Sequence, residues 1–474
     1  MNYAQYFTQA DGWALAPIFM VAATALVVLI VDLFESGHAR RYVNIGIGIA
    51  GLIAAGFVEA QQYGHPYAAF SNAYVVGGFS VVFSEIVLIA TIFSLLLTAG
   101  VGRDDQIGGS TALVLWSAAG AMLMTGAANL MTIFLGLELL SLGLYALCGL
   151  ANRATSHEAA LKYLILSSMA SGFMLYGMAL LFGATGSVGL AALIGAPLSG
   201  MLVVGVGLFL VGIAFKLSLF PFHVWTPDVY EGAPLAVTAF MSVVTKAGVL
   251  AVLARFAYAA LPQHRELFVP LWILAALSMI FGNLGALAQT DLKRLLAYSG
   301  IAQLGYITVA LAGATSLGLR YAIFYLTAYL FMNLGAFAVI ALLSREHDEG
   351  SSLQAFGGLS ERKPWAAAAM AFFLLALAGL PPTAGFTGKI LILATTVDAG
   401  YVWLAALLIV GTAISFYAYI KVIRVMYRPE PRPRTHYVYA HTLLPWVGVV
   451  VGAIAVLAMG LYPFVPSDVL PLVK

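Results

Sequence analysis

Charge-free apolar stretches of membrane-spanning length recur along this chain, at 12 to 31, 42 to 58, 267 to 290, 295 to 319, 321 to 344, 364 to 388 and 399 to 420. Each is close to the ~20 residues with which an α-helix crosses ~30 Å of hydrocarbon. A backbone in lipid must satisfy its own hydrogen bonds, so such stretches fold as spanning helices. Two longer runs, 163 to 215 and 435 to 467, hold more than one crossing or a crossing and a turn. The pattern predicts an all-α polytopic membrane protein of about 14 transmembrane helices, centred near residues 22, 50, 87, 117, 139, 171, 212, 247, 279, 304, 331, 381, 411 and 452. With 9% charged residues against 62% hydrophobic ones, and a longest hydrophilic stretch of only 344 to 364, no soluble domain is expected. Any chemistry belongs inside the membrane or to partner chains.

The basic residues orient the helices. With the N-terminus outside, Arg40, Arg41, Arg103, Arg153, Lys293, Arg294, Arg345, Arg362, Lys363, Arg424, Arg428, Arg432 and Arg434 fall on the cytoplasmic side, against Arg265, Arg320 and Lys474 outside. Both termini are therefore expected on the extracytoplasmic side, with the first span retained, since it is too long for a signal segment. The net charge of +2 is an orientation signal, with no solvated basic face for nucleic acid. A single cysteine, Cys148, excludes an internal disulfide and cysteine-held clusters.

Five charges interrupt these apolar helices: Glu138, Lys162, Lys216, Lys246 and Lys389. An ionised residue at a helix centre costs ~2.5 to 3.5 kcal/mol on insertion scales, so each needs a partner or a task. Two helices also read as broken. One runs Phe215-Lys216-Leu217-Ser218-Leu219-Phe220-Pro221-Phe222-His223, the other Gly379-Leu380-Pro381-Pro382-Thr383-Ala384-Gly385-Phe386-Thr387-Gly388-Lys389. Proline removes an amide donor and frees carbonyls that only protein or a wet cavity can satisfy. Each break alone also fits a simple proline kink, but paired breaks in two halves of a chain, each beside a lysine, point to an inverted-repeat transporter and its ion site. Lys216 precedes its break and Lys389 follows its own, so the lysines themselves do not repeat.

Glu138, deep in the fifth helix, calls for a lysine partner to stay ionised, and Lys216 is the one expected to be held charged by it. Lys216 ends the first half of the seventh helix, where the negative end of the half-helix favours a cation. Lys246, in Ser242-Val243-Val244-Thr245-Lys246, has small and hydroxyl neighbours that leave room for water, and Lys389 follows Gly385 and Gly388. Lys162 has Glu158 four residues earlier, so an interfacial ion pair explains it as well as a relay does. His223 either passes protons or caps carbonyls, Glu85 has no assigned partner, and the Gly-rich connection 183 to 200 reads as structural.

The run Trp225-Thr226-Pro227-Asp228-Val229-Tyr230-Glu231-Gly232-Ala233-Pro234, with Asp291-Leu292-Lys293-Arg294-Leu295-Leu296-Ala297-Tyr298-Ser299 and the segment from Pro381 to Lys389, resembles the antiporter-like subunits of respiratory complex I, a family shared with Mrp-type cation/proton antiporters. Within it the chain is most similar to the subunit N branch, nearly end to end. The resemblance implies two inverted five-helix repeats, helices 4 to 8 and 9 to 13, dividing the chain at 1–105, 106–262, 263–430 and 431–474. It also implies that Glu138, Lys216, Lys246 and Lys389 are the family's proton-relay residues, with Lys162 matching its helix 6 lysine. A lysine at the helix 12 position fits this branch, where subunit M is expected to carry glutamate. The implied activity is proton translocation coupled to quinone reduction in a bacterial cytoplasmic (inner) membrane. No cofactor is expected in this chain; FMN, iron-sulfur clusters and quinone belong to other subunits. The implied partners are membrane subunits K, M, J, L, A and H, the peripheral arm and lipid. The other readings are an Mrp-type or stand-alone Na⁺/H⁺ antiporter subunit and a structural scaffold.

Overall fold

A computed structural model describes residues 8–35, 39–101, 106–260, 264–343, 351–429, 443–464 and 469. Arg103, Arg345, Arg432, Arg434 and Lys474 of the charge count, the start of the 344 to 364 loop and most of 428 to 436 lie outside the described residues. The helices are α1 (Gln9–Asp32), α2 (Ala39–Gln61), α3 (Gly78–Val101), α4 (Ile107–Gly126), α5 (Leu130–Cys148), α6 (Ala154–Thr185), α7 (Gly200–Lys216), α8 (Trp225–Gly232), α9 (Leu235–Ala260), α10 (Val269–Ala288), α11 (Leu292–Ala310), α12 (Ser316–Ala341), α13 (Leu359–Arg362), α14 (Pro364–Ala378), α15 (Ala384–Asp398), α16 (Val402–Tyr427) and α17 (Leu444–Leu461). Among the described residues, 11 helical segments are long and apolar enough to cross a membrane unaided. The other three of the fourteen expected crossings are α11, whose first turn carries Lys293 and Arg294, and the broken pairs α7/α8 and α14/α15. The structure thus has an all-α polytopic fold, interrupted at the two proline-bearing segments.

The repeat is legible in the backbone. The starts of α10, α11 and α12 lie 162 residues after those of α4, α5 and α6 (269 against 107, 292 against 130, 316 against 154). In the first repeat Asn129 caps α5 by accepting from Thr132 N, and its strand-like bridge to Gly189 is bounded by Leu130 N to Val188 O and Leu190 N to Ala128 O. In the second, Asp291 caps α11 by accepting from Arg294 N and bridges to Ser352, bounded by Leu292 N to Ser351 O and Leu353 N to Thr290 O. A 3₁₀ turn follows each bridge, Leu190–Leu193 and Leu353–Phe356. The connection 183 to 200 is therefore the partner of the cap that starts α5. A second pair of caps repeats too: Arg255 on α9 donates to Thr125 O at the end of α4, and Lys421 on α16 donates to Leu287 O at the end of α10. Each repeat holds five crossings, an odd number, so the second runs in the opposite sense to the first.

The centre of the molecule is α9 and α12, the first buried along its full spanning window and the second along 89% of it. The outer helices α1, α2, α16 and α17 bury a third or less and turn apolar faces such as Phe57, Tyr417 and Ile454 outward. Between α2 and α3 lies a feature not read from the sequence, a small antiparallel hairpin of β1 (Tyr67–Ala69) and β2 (Tyr74–Val76). Asp11, in the first turn of α1, holds it by accepting from Phe70 N.

Each repeat packs its first two helices backbone to backbone through a glycine. A Cβ on Gly120 would stand 2.4 Å from Leu140 N, and one on the equivalent Gly282 would stand 2.7 Å from Ala302 N. Neither backbone can yield, so Gly120→Val is expected to cost about 1 to 3 kcal/mol by overpacking and to lower the melting temperature of the purified protein. Gly207→Val, on a helix face with nothing within 4 Å, is expected to leave it unchanged, and equal melting of the two variants would contradict this packing.

Candidate functional site

Three of the five intramembrane charges are deeply buried, Lys216 and Lys246 joined at the first break and Lys389 at the second. Lys216, Lys246 and Lys389 are 1%, 2% and 4% exposed, and among the described residues no carboxylate pairs with any of them. Their ammonium groups rest instead on hydroxyls, carbonyls and aromatic faces. A charge held in this way is stabilised by fixed dipoles, so moving a proton onto or off it separates no ion pair.

Lys216 is the last residue of α7, and its side chain reaches back between α5 and α6. Its Nζ donates to Ser141 Oγ and Ser167 Oγ, both at 2.7 Å, and lies over the rings of Tyr163 (5.3 Å) and Tyr145 (6.0 Å). Tyr145 also donates to Ser167 Oγ, at 2.8 Å. The pairing with Glu138 expected from the sequence is indirect. The Glu138 carboxylate accepts from Ser171 at 2.6 Å, and Ser171 stands one turn beyond Ser167 on α6. Glu138 faces the half-buried α5 surface, and Ser141, three residues later, takes the inward position beside the lysine. One turn of α6, with a serine at each end, thus separates the carboxylate from the ammonium group.

At the first break, α7 ends at Lys216 and α8 begins at Trp225. The carbonyls released there find donors from elsewhere: Trp225 Nε1 binds Phe215 O at 3.0 Å, and Lys246 Nζ, from α9, binds Lys216 O at 2.7 Å. The ammonium also donates to Ser218 Oγ at 2.6 Å and stands 5.2 Å from the centre of the Trp225 ring. Ser218 has φ 61°, a left-handed conformation uncommon outside glycine, and it turns the hydroxyl to meet both Lys246 and Thr226 Oγ1. A cation here complements the negative end of a half-helix that stops inside the membrane.

The second break reaches the same result with a different residue. Gly379, at φ 90°, ends α14 in the left-handed conformation that suits glycine, leaving Leu377 O and Ala378 O facing inward. Lys389, from the second half of the same helix, donates to both at 3.0 Å and lies 5.1 Å from the Tyr306 ring. Gln303 on α11 adds a second donor to Leu377 O at 3.1 Å. Lys216 and Lys389 therefore do not correspond by repeat. Lys246 and Lys389 do correspond by role, since each caps the half-helix at its break.

Lys162 lies elsewhere. Its side chain is 41% exposed and bridges Glu158 and Asp228, both at 2.7 Å. Arg294 from α11 takes the other oxygen of Asp228 at 2.7 Å and Glu231 at 2.8 Å. This network clamps α8 between the two repeats, and Lys293 adds to it by donating to Glu231 O and Ala233 O at the end of α8. His223 stacks on Phe220, faces Tyr298 and lies against the backbone of Pro221. Glu85 lies over Gly56, and the buried Glu59 of α2 stands beside it and Ser84. The site residues not read from the sequence are Ser141, Ser167, Ser171, Ser218 and Gln303. Of these, Ser141 and Ser218, each within a turn of Glu138 or Lys216, carried a signal along the chain, and the others did not. Among the described residues no group of three or more His, Cys, Asp or Glu side chains could hold a metal ion.

The exposures give a direct check. The chain's sole cysteine, Cys148, is fully buried. In the solubilised protein a cysteine placed at Lys162 is expected to react with a charged maleimide. Cysteines at Lys216, Lys246 or Lys389 are expected to remain at the background of the parent chain. Equal labelling of all four would contradict the placement.

Comparison with known proteins agrees with this architecture. The family described as NADH:quinone oxidoreductase/Mrp antiporter, TM, matches residues 127–415. A protein of Trichlorobacter lovleyi named NADH-quinone oxidoreductase subunit N is 39% identical over 90% of both chains. One of Symbiobacterium thermophilum named NADH-quinone oxidoreductase subunit N 1 is 41% identical over 88% of this chain and 89% of that one. Among solved structures, a chain of respiratory complex I from Thermus thermophilus superposes with a TM-score of 0.81 at 35% identity, covering 94% of this chain and 97% of that one. A chain of the Mrp complex from Dietzia sp. shares the fold, with a TM-score of 0.81 at 22% identity over 96% of this chain and 95% of that one. With repeats, breaks, sequence and superposition in agreement, the chain belongs to the NADH:quinone oxidoreductase/Mrp antiporter family of membrane subunits, among relatives named subunit N.

Proposed function

We propose that this chain is a non-redox, proton-translocating subunit of a membrane NADH:quinone oxidoreductase, in which the complex as a whole is the translocase. The observation that carries this reading is the line of three lysines buried without carboxylates, each set at or against a helix break, in a chain whose relatives are named as subunits of that enzyme. Lys216 takes the proton from the Glu138 side through the serines of α5 and α6. It passes the proton across the Ser218 turn to Lys246, and Lys389 releases it on the far side. Lys162, in its exposed bridge with Asp228, is the mouth of this path. FMN, iron-sulfur clusters and quinone reside in other subunits, and the apolar outer faces of α1, α2, α16 and α17 meet lipid and the neighbouring membrane subunits. Both termini lie on the extracytoplasmic side of a bacterial inner membrane, with residues 1–105 and 431–474 flanking the repeats at 106–262 and 263–430.

The energies are commensurate. Moving one charge against 100 mV requires about 2.3 kcal/mol. A unit charge approaching to ~4 Å in an effective dielectric near 20 changes a neighbour's energy by about 4 kcal/mol. Glu138 stands a serine-lined turn of α6 away from Lys216, so a change of that size requires the two to close to that distance and part again.

The test is Lys216→Ala in the assembled complex reconstituted into vesicles. NADH-driven proton uptake is expected to fall by about tenfold or more, as removal of a group used in transfer does. Electron transfer from NADH to ferricyanide, which does not involve this chain, should stay at the parental level. Unchanged proton uptake would favour a scaffold. Sodium uptake in place of proton uptake by the parent complex would favour the cation antiporter reading.

A further inference from the structure

The two lysines of the first break rest on one pair of rings, and the short helix that supplies one of those rings is tied down by charge. Tyr163 of α6 and Trp225 of α8 are buried, with ring centres 4.8 Å apart and planes 22° from parallel. Lys216 Nζ lies 5.3 Å from the centre of the first ring, and Lys246 Nζ lies 5.2 Å from that of the second. Trp225 also donates to Phe215 O, and its neighbour Thr226 donates to Ser218 Oγ, the hydroxyl that Lys246 binds. The position of α8 therefore sets the surroundings of both ammonium groups.

Three contacts seat α8 on α6, of which the Trp225–Tyr163 stack is the first. Asp228, one turn after Trp225, meets Lys162, the residue before Tyr163. Gly232 makes the third contact, since a Cβ there would stand 2.5 Å from Thr155 O and 2.7 Å from the Ala159 Cβ. Asp228 gives one carboxylate oxygen to Lys162 and the other to Arg294 of α11, both at 2.7 Å. Each of these cations also has a second carboxylate, Glu158 for Lys162 and Glu231 for Arg294. Neutralising Asp228 thus leaves both cations paired and cuts the ionic tie between α8 and α6. An isolated exposed ion pair contributes little, but a carboxylate shared by two cations belongs to a network and is fixed in direction.

Resting on the relay proposed above, we infer that Asp228 is a positioning residue for proton transfer between Lys216 and Lys246. Its charge holds α8 against α6, α8 holds the Trp225 ring on Tyr163, and the stacked rings hold each ammonium in place. Asp228 takes up no proton in the passage, and among the described residues it pairs with neither buried lysine. A ring attracts a cation within about 6 Å of its centre, so a small displacement of α8 weakens its hold on Lys246. The same displacement pulls Thr226 from Ser218 and Trp225 from Phe215 O, and so disturbs the turn that Lys246 caps. The half-exposed ion pairs and the buried lysines are one unit, joined through two rings.

The experiment measures NADH-driven proton uptake by the reconstituted complex with Asp228→Asn, Asp228→Glu, Trp225→Phe, the combination of Asp228→Asn and Trp225→Phe, or Lys246→Ala. Each is normalised to NADH-to-ferricyanide electron transfer as a measure of assembly. Asp228→Asn and Trp225→Phe are each expected to lower uptake by about threefold. Asp228→Glu, which restores the charge, is expected to recover at least half of the loss. The combination decides whether Asp228 acts through the ring. Acting through it, the double variant stays within about twofold of the more severe single one, whereas independent losses multiply to about ninefold. Multiplied losses, parental uptake in Asp228→Asn or Trp225→Phe, or no recovery in Asp228→Glu overturns the inference, and the relay stands where Lys246→Ala still fails to pump. If Lys246→Ala pumps like the parent, the relay itself fails. Should Asp228→Asn not assemble, Gly232→Ala, whose added Cβ pushes α8 away from Thr155, takes its place in the same comparison, and multiplied losses again overturn the inference.

Discussion

A helix that stops inside a membrane leaves carbonyls that lipid cannot satisfy, each at a cost of several kcal/mol. The architecture of this protein depends on how that problem is met at two places. At the first break the ammonium of Lys246 reaches across from α9, and at the second the ammonium of Lys389 reaches back from α15. One group in each case answers two demands, matching orphan acceptors and complementing the negative end of a half-helix. The cost of burying the lysine and the cost of breaking the helix offset each other, which is why the two features occur together.

The repeat shows how the same backbone solution tolerates different side chains. The caps at Asn129 and Asp291, the glycines at 120 and 282 and the capping cations Arg255 and Lys421 answer one another closely. The relay residues do not. At the 162-residue offset Glu138 falls opposite Gly300, Ser141 opposite Gln303 and Lys216 opposite Ala378. The first repeat thus carries a glutamate and an extra lysine, while the second carries a glycine and a glutamine at the positions of Glu138 and Ser141. Such asymmetry suits a directional path, with a charged receiving side and a neutral conducting side.

Hydropathy made the crossings legible because about twenty apolar residues in a row have one outcome in lipid. The breaks at Pro221 and at Pro381 and Pro382 were legible because proline cannot donate, and the lysines because their insertion is so costly. Partner choice was not legible. Glu138 and Lys216 read as a direct pair, yet helix phase turns Glu138 to the half-buried side and gives the inward place to Ser141. Lys162 read equally as relay or ion pair. Only the folding of α8 against α6 and α11 brings Asp228 to it, from 66 residues away. Asn333 and Gln303 gave no signal of their own, since only the fold brings Asn333 to Ser242 of the first repeat and Gln303 to the broken end of α14.

The central claim is that protons move along one continuous polar line held by Lys216, Lys246 and Lys389. The most direct measurement is a structure of the assembled complex at a resolution that shows ordered water. The expected result is water bound at Lys246 and continuing to Lys389, with Lys216 joined to Glu138 through the serines of α5 and α6. A dry apolar gap between Lys246 and Lys389 in every state of the complex would contradict it.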